Sequence, residues 1–320
     1  MLDGVDLNQL ALLRELADHG SVTAVAAATG KTPSAVSQQL KGLQRQVGVP
    51  LVERVGRGVQ LTDAGWALAE GAVHIATALA EAEAAWDRYQ GDVAGSVRLA
   101  LFFSAAELFL PGLLDRLEAH PAITLESFDE DVSQDDFAAL TRDYDIVVAH
   151  RSDDVAPVRR PGLTVVPLMR EPLDVALPLS HPLAGQPWVR PSDVIGENWI
   201  APPADFPIDR ALTAIGARAG APVRIVRRTT HLPLTERLVA RGHGVALLPR
   251  HTSADRAAGR FALVRLRDLR AGRFVEALMR PDRAARRAVQ VVVEELRAEA
   301  AAYANPGDPG DPGPEADSTT

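Results

Sequence analysis

The chain holds 320 residues, 47% hydrophobic and 24% charged, with 34 lysines and arginines against 42 aspartates and glutamates, hence a net charge of -8, and no cysteine. That length and balance describe a globular protein of two or three domains, each large enough for its own core. The lack of cysteine excludes disulfides, zinc fingers, thiolate metal sites and a catalytic thiol.

The first sixty residues read as short helices with tight breaks. Asp6 is placed to open a helix, and Leu7, Leu10, Leu13, Leu16 and Ala17 recur at helical spacing before His19-Gly20 stops it. Ser21 caps a second short helix through Val22, Val25 and Ala26, which ends at Gly30. Thr32 suits the N-cap and Pro33 the first position of a third helix reaching about Val47. It buries Val36, Leu40, Leu43 and Val47 and turns Ser34, Ser37, Gln38, Lys41, Gln44 and Arg45 outward. Two extended runs, 51–55 and 58–61, joined by a turn with Gly56, Arg57 and Gly58, read as a small β wing. Thr62-Asp63 then caps a long alanine-rich helix to about Tyr89. Within it Leu68, Ala72, Ile75, Leu79, Ala82 and Trp86 follow the spacing of a coiled-coil seam, which calls for a partner helix.

From Val93 onward strand-like and helical runs alternate, the pattern of a parallel α/β sheet. Strands are predicted at 97–102, 123–128 and 144–149, with helices near 105–119 and 134–142. A second set has strands at 163–168, 173–179, 199–201, 223–226 and 245–248, with helices near 207–219 and 235–241. A late strand at 274–279 precedes a final helix over 281–303. Two α/β lobes fit this series. The remainder, 304–320, is rich in Pro, Gly and Asp and too poor in apolar residues to offset its ordering entropy, so a disordered acidic tail is expected.

Familiar catalytic signatures fail on inspection. Gly30-Lys31-Thr32 copies the end of a phosphate loop, but Val25 stands where the earlier glycine belongs. Gly56-Arg57-Gly58 and Gly242-His243-Gly244 start dinucleotide fingerprints that Leu61 and Leu247 interrupt. No HExxH, GxSxG or SxxK occurs and the histidines lack metal-ligand spacing. No enzyme activity, metal or cofactor is therefore expected. The apolar stretch 97–114 is broken by Arg98 and Glu107, and Asp3 and Asp6 occupy the N-terminus. Neither a membrane span nor a secretory leader is expected, and the cytoplasm is the expected location.

The acidic total conceals a basic segment. Residues 31–57 carry Lys31, Lys41, Arg45, Arg54 and Arg57 against Glu53 alone, a local balance of +4. A helix that enters the major groove needs a polar outer face near its N-terminus, where Ser34, Ser37 and Gln38 lie. Arg54 and Arg57 on the wing would add phosphate or minor-groove contacts. The competing interpretation is a helical bundle with a merely solvated face.

The runs Gly20-Ser21-Val22-Thr23-Ala24-Val25-Ala26, Thr32-Pro33-Ser34-Ala35-Val36-Ser37-Gln38-Gln39-Leu40, Gly48-Val49-Pro50-Leu51-Val52-Glu53-Arg54 and Leu61-Thr62-Asp63-Ala64-Gly65 resemble the winged helix-turn-helix of LysR-type transcriptional regulators. The match departs at Val22 and Val52, where that family usually has Phe, and at Thr29 and Lys31 around the turn. Later phrases, Ser180-His181-Pro182-Leu183-Ala184 and the run from Val239 to Pro249, extend the similarity.

The resemblance implies an α/β chain overall: an N-terminal winged helix-turn-helix (1–62), a long linker helix for dimerisation (63–92), and a two-lobed α/β effector domain like a periplasmic binding protein (93–303). Lobe I would comprise about 93–164 with 269–303, and lobe II about 165–268. Its DNA-binding positions fall on Thr32, Pro33, Ser34, Ser37, Gln38, Lys41, Arg54 and Arg57. The family often has Arg where Gln38 stands, and Gln38 can make a bidentate contact to adenine. Implied partners are double-stranded promoter DNA, a second copy of the chain in a homodimer or homotetramer, and a small-molecule effector between the lobes. Phe103, Ser104, His150, Arg151, Pro202, Thr230 and His231 are the candidate effector contacts. A helix beginning after Ser104 would offer amides to an anion, with charge from His150, Arg151 or His231. The alternative is a two-lobed solute-binding protein or enzyme whose N-terminal helices serve only for assembly.

Overall fold

The computed structural model describes residues 4–56, 58–91, 93–155, 162–204 and 206–303. Arg57 of the wing and the tail expected to be disordered lie outside the described residues.

Capping chemistry sets the N-terminal elements. Helix α1 (Leu7–His19) starts where the Asp6 carboxylate accepts from the Asn8 N–H at 2.9 Å, and ends at Gly20 with φ 64°. Helix α2 (Val22–Ala28) is capped by Ser21, and α3 (Pro33–Val47) by Thr32, whose Oγ1 accepts from the Ala35 N–H at 3.2 Å. Leu10, Leu13, Leu16, Val25, Val36, Leu40 and Leu43 form their shared core. Strands β1 (Val52–Val55) and β2 (Gly58–Leu61) pair antiparallel as the wing. Gln44, expected on the outer face of α3, instead turns to the wing: its Oε1 accepts from the Leu51 and Val52 N–H groups at 2.8 and 3.0 Å. Helix α4 (Asp63–Gln90) begins with the Thr62 hydroxyl accepting from the Gly65 N–H. A side chain at Gly65 would place Cβ 2.1 Å from the Leu51 carbonyl oxygen, so only glycine fits there.

The remainder builds one curled sheet with helices on its faces. In chain order follow β3 (Gly95–Leu101), α5 (Phe103–Leu117), β4 (Ile123–Asp129), α6 (Phe137–Leu140), β5 (Ile146–Ser152), β6 (Thr164–Pro178), β7 (Trp188–Val189), α7 (Pro191–Val194), β8 (Asn198–Ala201) and α8 (Pro207–Ala219). Then come β9 (Arg224–Arg228), α9 (Leu232–Ala240), β10 (Val245–Pro249), α10 (Arg250–Ala257), β11 (Phe261–Leu266), β12 (Gly272–Met279), α11 (Pro281–Ala284) and α12 (Arg287–Ala301). Strand order is β4-β3-β5-β12-β6-β10-β8-β9, with β11 joining β6 to β7. Pairing is parallel in β4-β3-β5 and β10-β8-β9, but antiparallel through β5-β12-β6-β10, so the sheet is mixed where a parallel one was expected. One core gathers around β3, β5, β12, α5 and α12, and separate ones around β8, β10 and α8. These are the two lobes.

Two further sequence-based expectations are corrected. The strands predicted at 163–168 and 173–179 are one continuous strand, β6, whose first part pairs with β12 and last part with β10 and β11. Residues 169–172, left between the two predicted strands, belong to it because Arg170 and Glu171 are buried and neutralised, Arg170 by Asp153 at 2.6 Å and Glu171 by Arg273 at 2.6 Å. The final helix, predicted as one piece, is interrupted at Arg286, which adopts extended geometry and donates to Asp145 and to the Ser96 carbonyl, both at 2.8 Å.

Helix α11 also packs on α4. There Arg14 of α1 meets Asp282 at 2.8 Å, while Arg280 pairs with Asp18 and lies 3.8 Å from Glu15, tying the winged helix to lobe I. Along the seam of α4, Ile75, Leu79 and Trp86 remain exposed at 41, 46 and 58%. Among the described residues no helix is long and apolar enough to cross a membrane.

Candidate functional site

The outer face of α3 is free. Pro33, Ser34, Gln38 and Lys41 are exposed and Ser37 half-buried, while Thr32 is engaged as the cap and shares a 3.0 Å hydrogen bond with the Ser34 hydroxyl. Arg54 stands exposed on β1. Among the described residues, the side chains of Ser37, Gln38, Lys41 and Arg54 make no hydrogen bond or ion pair within the chain, so all four are available to an external partner. Because α3 is held from behind by Val36, Leu40 and Leu43, and the wing is fastened by Gln44, the face is rigidly presented.

The second site is a cavity of about 510 Å³ between the lobes. Phe103, Ser104, His150, Pro202, Thr230 and His231, all candidates from the sequence, line it together. Its polar centre is Arg273 on β12. That guanidinium donates to Ser104 Oγ at 2.8 Å and to Glu171 Oε2 at 2.6 and 3.0 Å, and lies over the Phe102 ring at 4.7 Å. Glu171, fully buried, accepts further bonds from the Thr252 hydroxyl and N–H at 2.8 and 3.2 Å. At the cavity edge Arg256 of α10 joins Glu107 of α5 at 2.7 Å to Glu236 of α9 at 2.8 Å, an ion-pair bridge from lobe to lobe.

The charge expected from His150 and the place expected of Arg151 are corrected. His150 is wedged edge-on between Phe102 and Phe137 at 4.9 and 4.8 Å, and burial, aided by the Arg273 charge, lowers its pKa to about 3. It is therefore neutral. His231 caps α9, its Nδ1 accepting from the Leu234 N–H at 3.2 Å. Arg151 lies away from the lining: it pairs with Glu276 at 2.9 Å and stacks on Phe274 at 4.3 Å.

Sequence reasoning missed Arg273, Glu107, Asp129, Asp131 and Phe206, which also line the cavity. Burial pushes the Asp131 carboxyl above the usual carboxylate range, against the pull of Arg273. No motif marks these residues. Arg273 reaches Ser104 across 169 positions, a contact created by sheet order alone. Among the described residues no group of histidines and carboxylates could hold a metal ion.

Residues 7–66 match the profile described as "Bacterial regulatory helix-turn-helix protein, lysR family", and residues 90–301 match "LysR substrate binding domain". The transcriptional dual regulator GltC of Bacillus subtilis (strain 168) is 27% identical, over 78% of this chain and 83% of its own length. A RuBisCO operon transcriptional regulator of Allochromatium vinosum is 27% identical over 78% and 80%. Among solved structures, full-length OxyR from Pseudomonas aeruginosa superposes with a TM-score of 0.65 at 19% identity, covering 92% of this chain and 95% of that one, which bears on the fold alone.

Proposed function

The chain belongs to the LysR family of bacterial transcriptional regulators, and from that premise we propose how its two sites divide the work. It is a DNA-binding regulator with an effector-binding domain, and its relatives are regulators rather than enzymes. The DNA-reading set is Pro33, Ser34, Ser37, Gln38 and Lys41 on α3, with Thr32 fixing the helix start and Arg54 and Arg57 serving the wing. Gln38, exposed and unbonded, is suited to the N6/N7 edge of adenine. Arg54 contributes phosphate attraction that carries no sequence information. The effector sits in the inter-lobe cavity. It acts by binding one lobe arrangement more tightly than another, shifting an equilibrium already present.

We further propose that the working limits are 1–62, 63–92 and 93–303, with the lobes divided within β6 and again at the chain between β11 and β12. The exposed Ile75, Leu79 and Trp86 seam of α4 takes a second copy of the chain. The cytoplasm is the compartment that fits a soluble DNA-binding regulator.

A single observation carries this reading: one chain presents an unbonded polar helix face beside a wing and encloses a cavity between two lobes. Fluorescence anisotropy with the DNA upstream of the protein's own gene, at two salt concentrations, tests it. Binding should exceed that to random DNA, weaken as salt rises, and lose its preference in Gln38→Ala. Equal affinity for both DNAs would overturn it.

A further inference from the structure

The contact between the winged helix and lobe I is a closed ring of charge. Arg14 of α1 donates to Asp282 at 2.8 Å and to Glu15 at 3.1 Å. Arg280, just past β12, pairs with Asp18, lies 3.8 Å from Glu15 and reaches Asp282 through Nε at 3.4 Å. The two arginines therefore share both Glu15 and Asp282, and all four side chains are 13% exposed or less.

The make-up of the ring lets it come apart. Helix α1 brings Arg14 with Glu15 and lobe I brings Arg280 with Asp282, so each side holds one cation and one anion already in contact. Breaking a buried pair is costly chiefly when a charge is left without a partner, and parting these two sides leaves none. The cores are separate as well: the buried residues around α1 and α3 lie within 10–72 and those of lobe I within 97–300, with none in common. Helix α11 is a single turn, Pro281–Ala284, so the apolar contact with α4 that accompanies the ring is small. The chain that joins the two units runs from Gly91 to Gly95, whose φ values of 76° and 143° favour glycine.

What the ring holds in place is acidic. Lobe I, taken as 93–164 with 269–303, has 13 arginines against 18 aspartates and glutamates, whereas residues 31–57 of the winged helix carry +4. The ring leaves the outer face of α3 uncovered, so it does not block DNA by contact. It keeps an acidic body beside the basic one, and the phosphate backbone of DNA meets the field of both.

We infer that the ring of Arg14, Asp282, Arg280 and Glu15 is a releasable latch, and that its closed form is autoinhibited, lobe I lowering the affinity of the winged helix for DNA.

Arg280→Glu tests this, because it sets a carboxylate against Glu15, Asp18 and Asp282 while making the chain more acidic. Spin labels on Thr23→Cys of α2 and Glu118→Cys after α5, both exposed and in a chain without other cysteines, report the distance between the units. Unlabelled chain in excess restricts the signal to distances within one chain. The latched protein should show one narrow distance and Arg280→Glu a broader or second one. Arg280→Glu should also bind the DNA upstream of the protein's own gene about 3-fold or more tightly at low salt, a gain that fades as salt screens the field. Added negative charge by itself would weaken that binding. Asp18→Arg combined with Arg280→Glu restores a cross pair and the original net charge, and should return both the narrow distance and the original affinity. Arg14→Glu, reversed by Asp282→Arg, repeats the distance test from the α1 side. An unchanged distance in Arg280→Glu and Arg14→Glu, a reversed pair that stays open, or release without a gain in affinity would each overturn the inference.

Discussion

The proposed DNA-reading face and the inter-lobe cavity are built in opposite ways. Thr32, Pro33, Ser34, Ser37, Gln38 and Lys41 fall within ten consecutive positions of one capped helix. The cavity takes Phe102 to Ser104 from the β3–α5 junction, Asp129 and Asp131 from the end of β4, His150 from β5, Pro202 after β8, Thr230 and His231 before α9, and Arg273 from β12. A helix face is a local periodicity, so its members move together if the helix moves. A cavity is a consequence of strand order, and each wall is held by contacts distant in sequence. The two sites should therefore respond differently to substitution.

The largest difference is expected at Arg273. Arg273→Met strips the charge partner from fully buried Glu171 and should cost about 3–5 kcal/mol, read as a lowered urea midpoint of the two-lobed domain. A loss below about 1 kcal/mol would show that Thr252 and its neighbours suffice for Glu171, and that the cavity wall does not depend on this long-range pair.

Next comes the buried imidazole. With a folded value near 3 against an ordinary 6.5, His150 stays unprotonated in the fold where the unfolded chain would take up a proton. Its contribution is thus intact above pH 6.5 and is lost as pH falls from 6.5 toward 3, by about 1.4 kcal/mol per unit. The difference in unfolding free energy between the wild type and His150→Phe should change by about 2 kcal/mol between pH 6.5 and 4.5, and be flat above about pH 7.5. A flat difference throughout would mean that the ring is solvated in the folded state.

On the DNA side the effects are smaller and leave stability alone. Gln38→Ala should weaken the preferred site by about 1–3 kcal/mol with no change in melting temperature, since the side chain is exposed and bonds to nothing in the chain. A drop in melting temperature would place Gln38 among the packing residues and remove the contrast with Arg273. Smallest is Arg54→Ala, which should weaken binding to all sequences alike and reduce the slope of log affinity against log salt by about 1. A sequence-dependent loss would instead make the wing a reader of bases.

The parts legible in the sequence share a physical basis. Thr32-Pro33 opening α3, Thr62 opening α4 and the glycine stop at Gly20 were all readable, because caps act within a few residues of themselves. Gln44 was misread, since whether a polar side chain faces water or a backbone amide of the wing depends on where the wing returns. The two strands predicted at 163–168 and 173–179 were not joined for the same reason: the charge of Arg170 and Glu171 within a strand is tolerated once partners from other elements neutralise it. Of the cavity, Ser104, Thr230 and Pro202 were found by analogy of position, whereas Arg273 and Asp131 carry no local signal at all.

By itself, then, the sequence determined the helices, their caps, the exposed polar face of α3 and the basic balance around it, since each follows from interactions spanning a few residues. Only the tertiary structure decided which charges are neutralised, that His150 bears none, and which carboxylates face the cavity. Those properties depend on desolvation and on partners that β6 and β12 carry together from opposite ends of the domain, and neither is set until the sheet has formed.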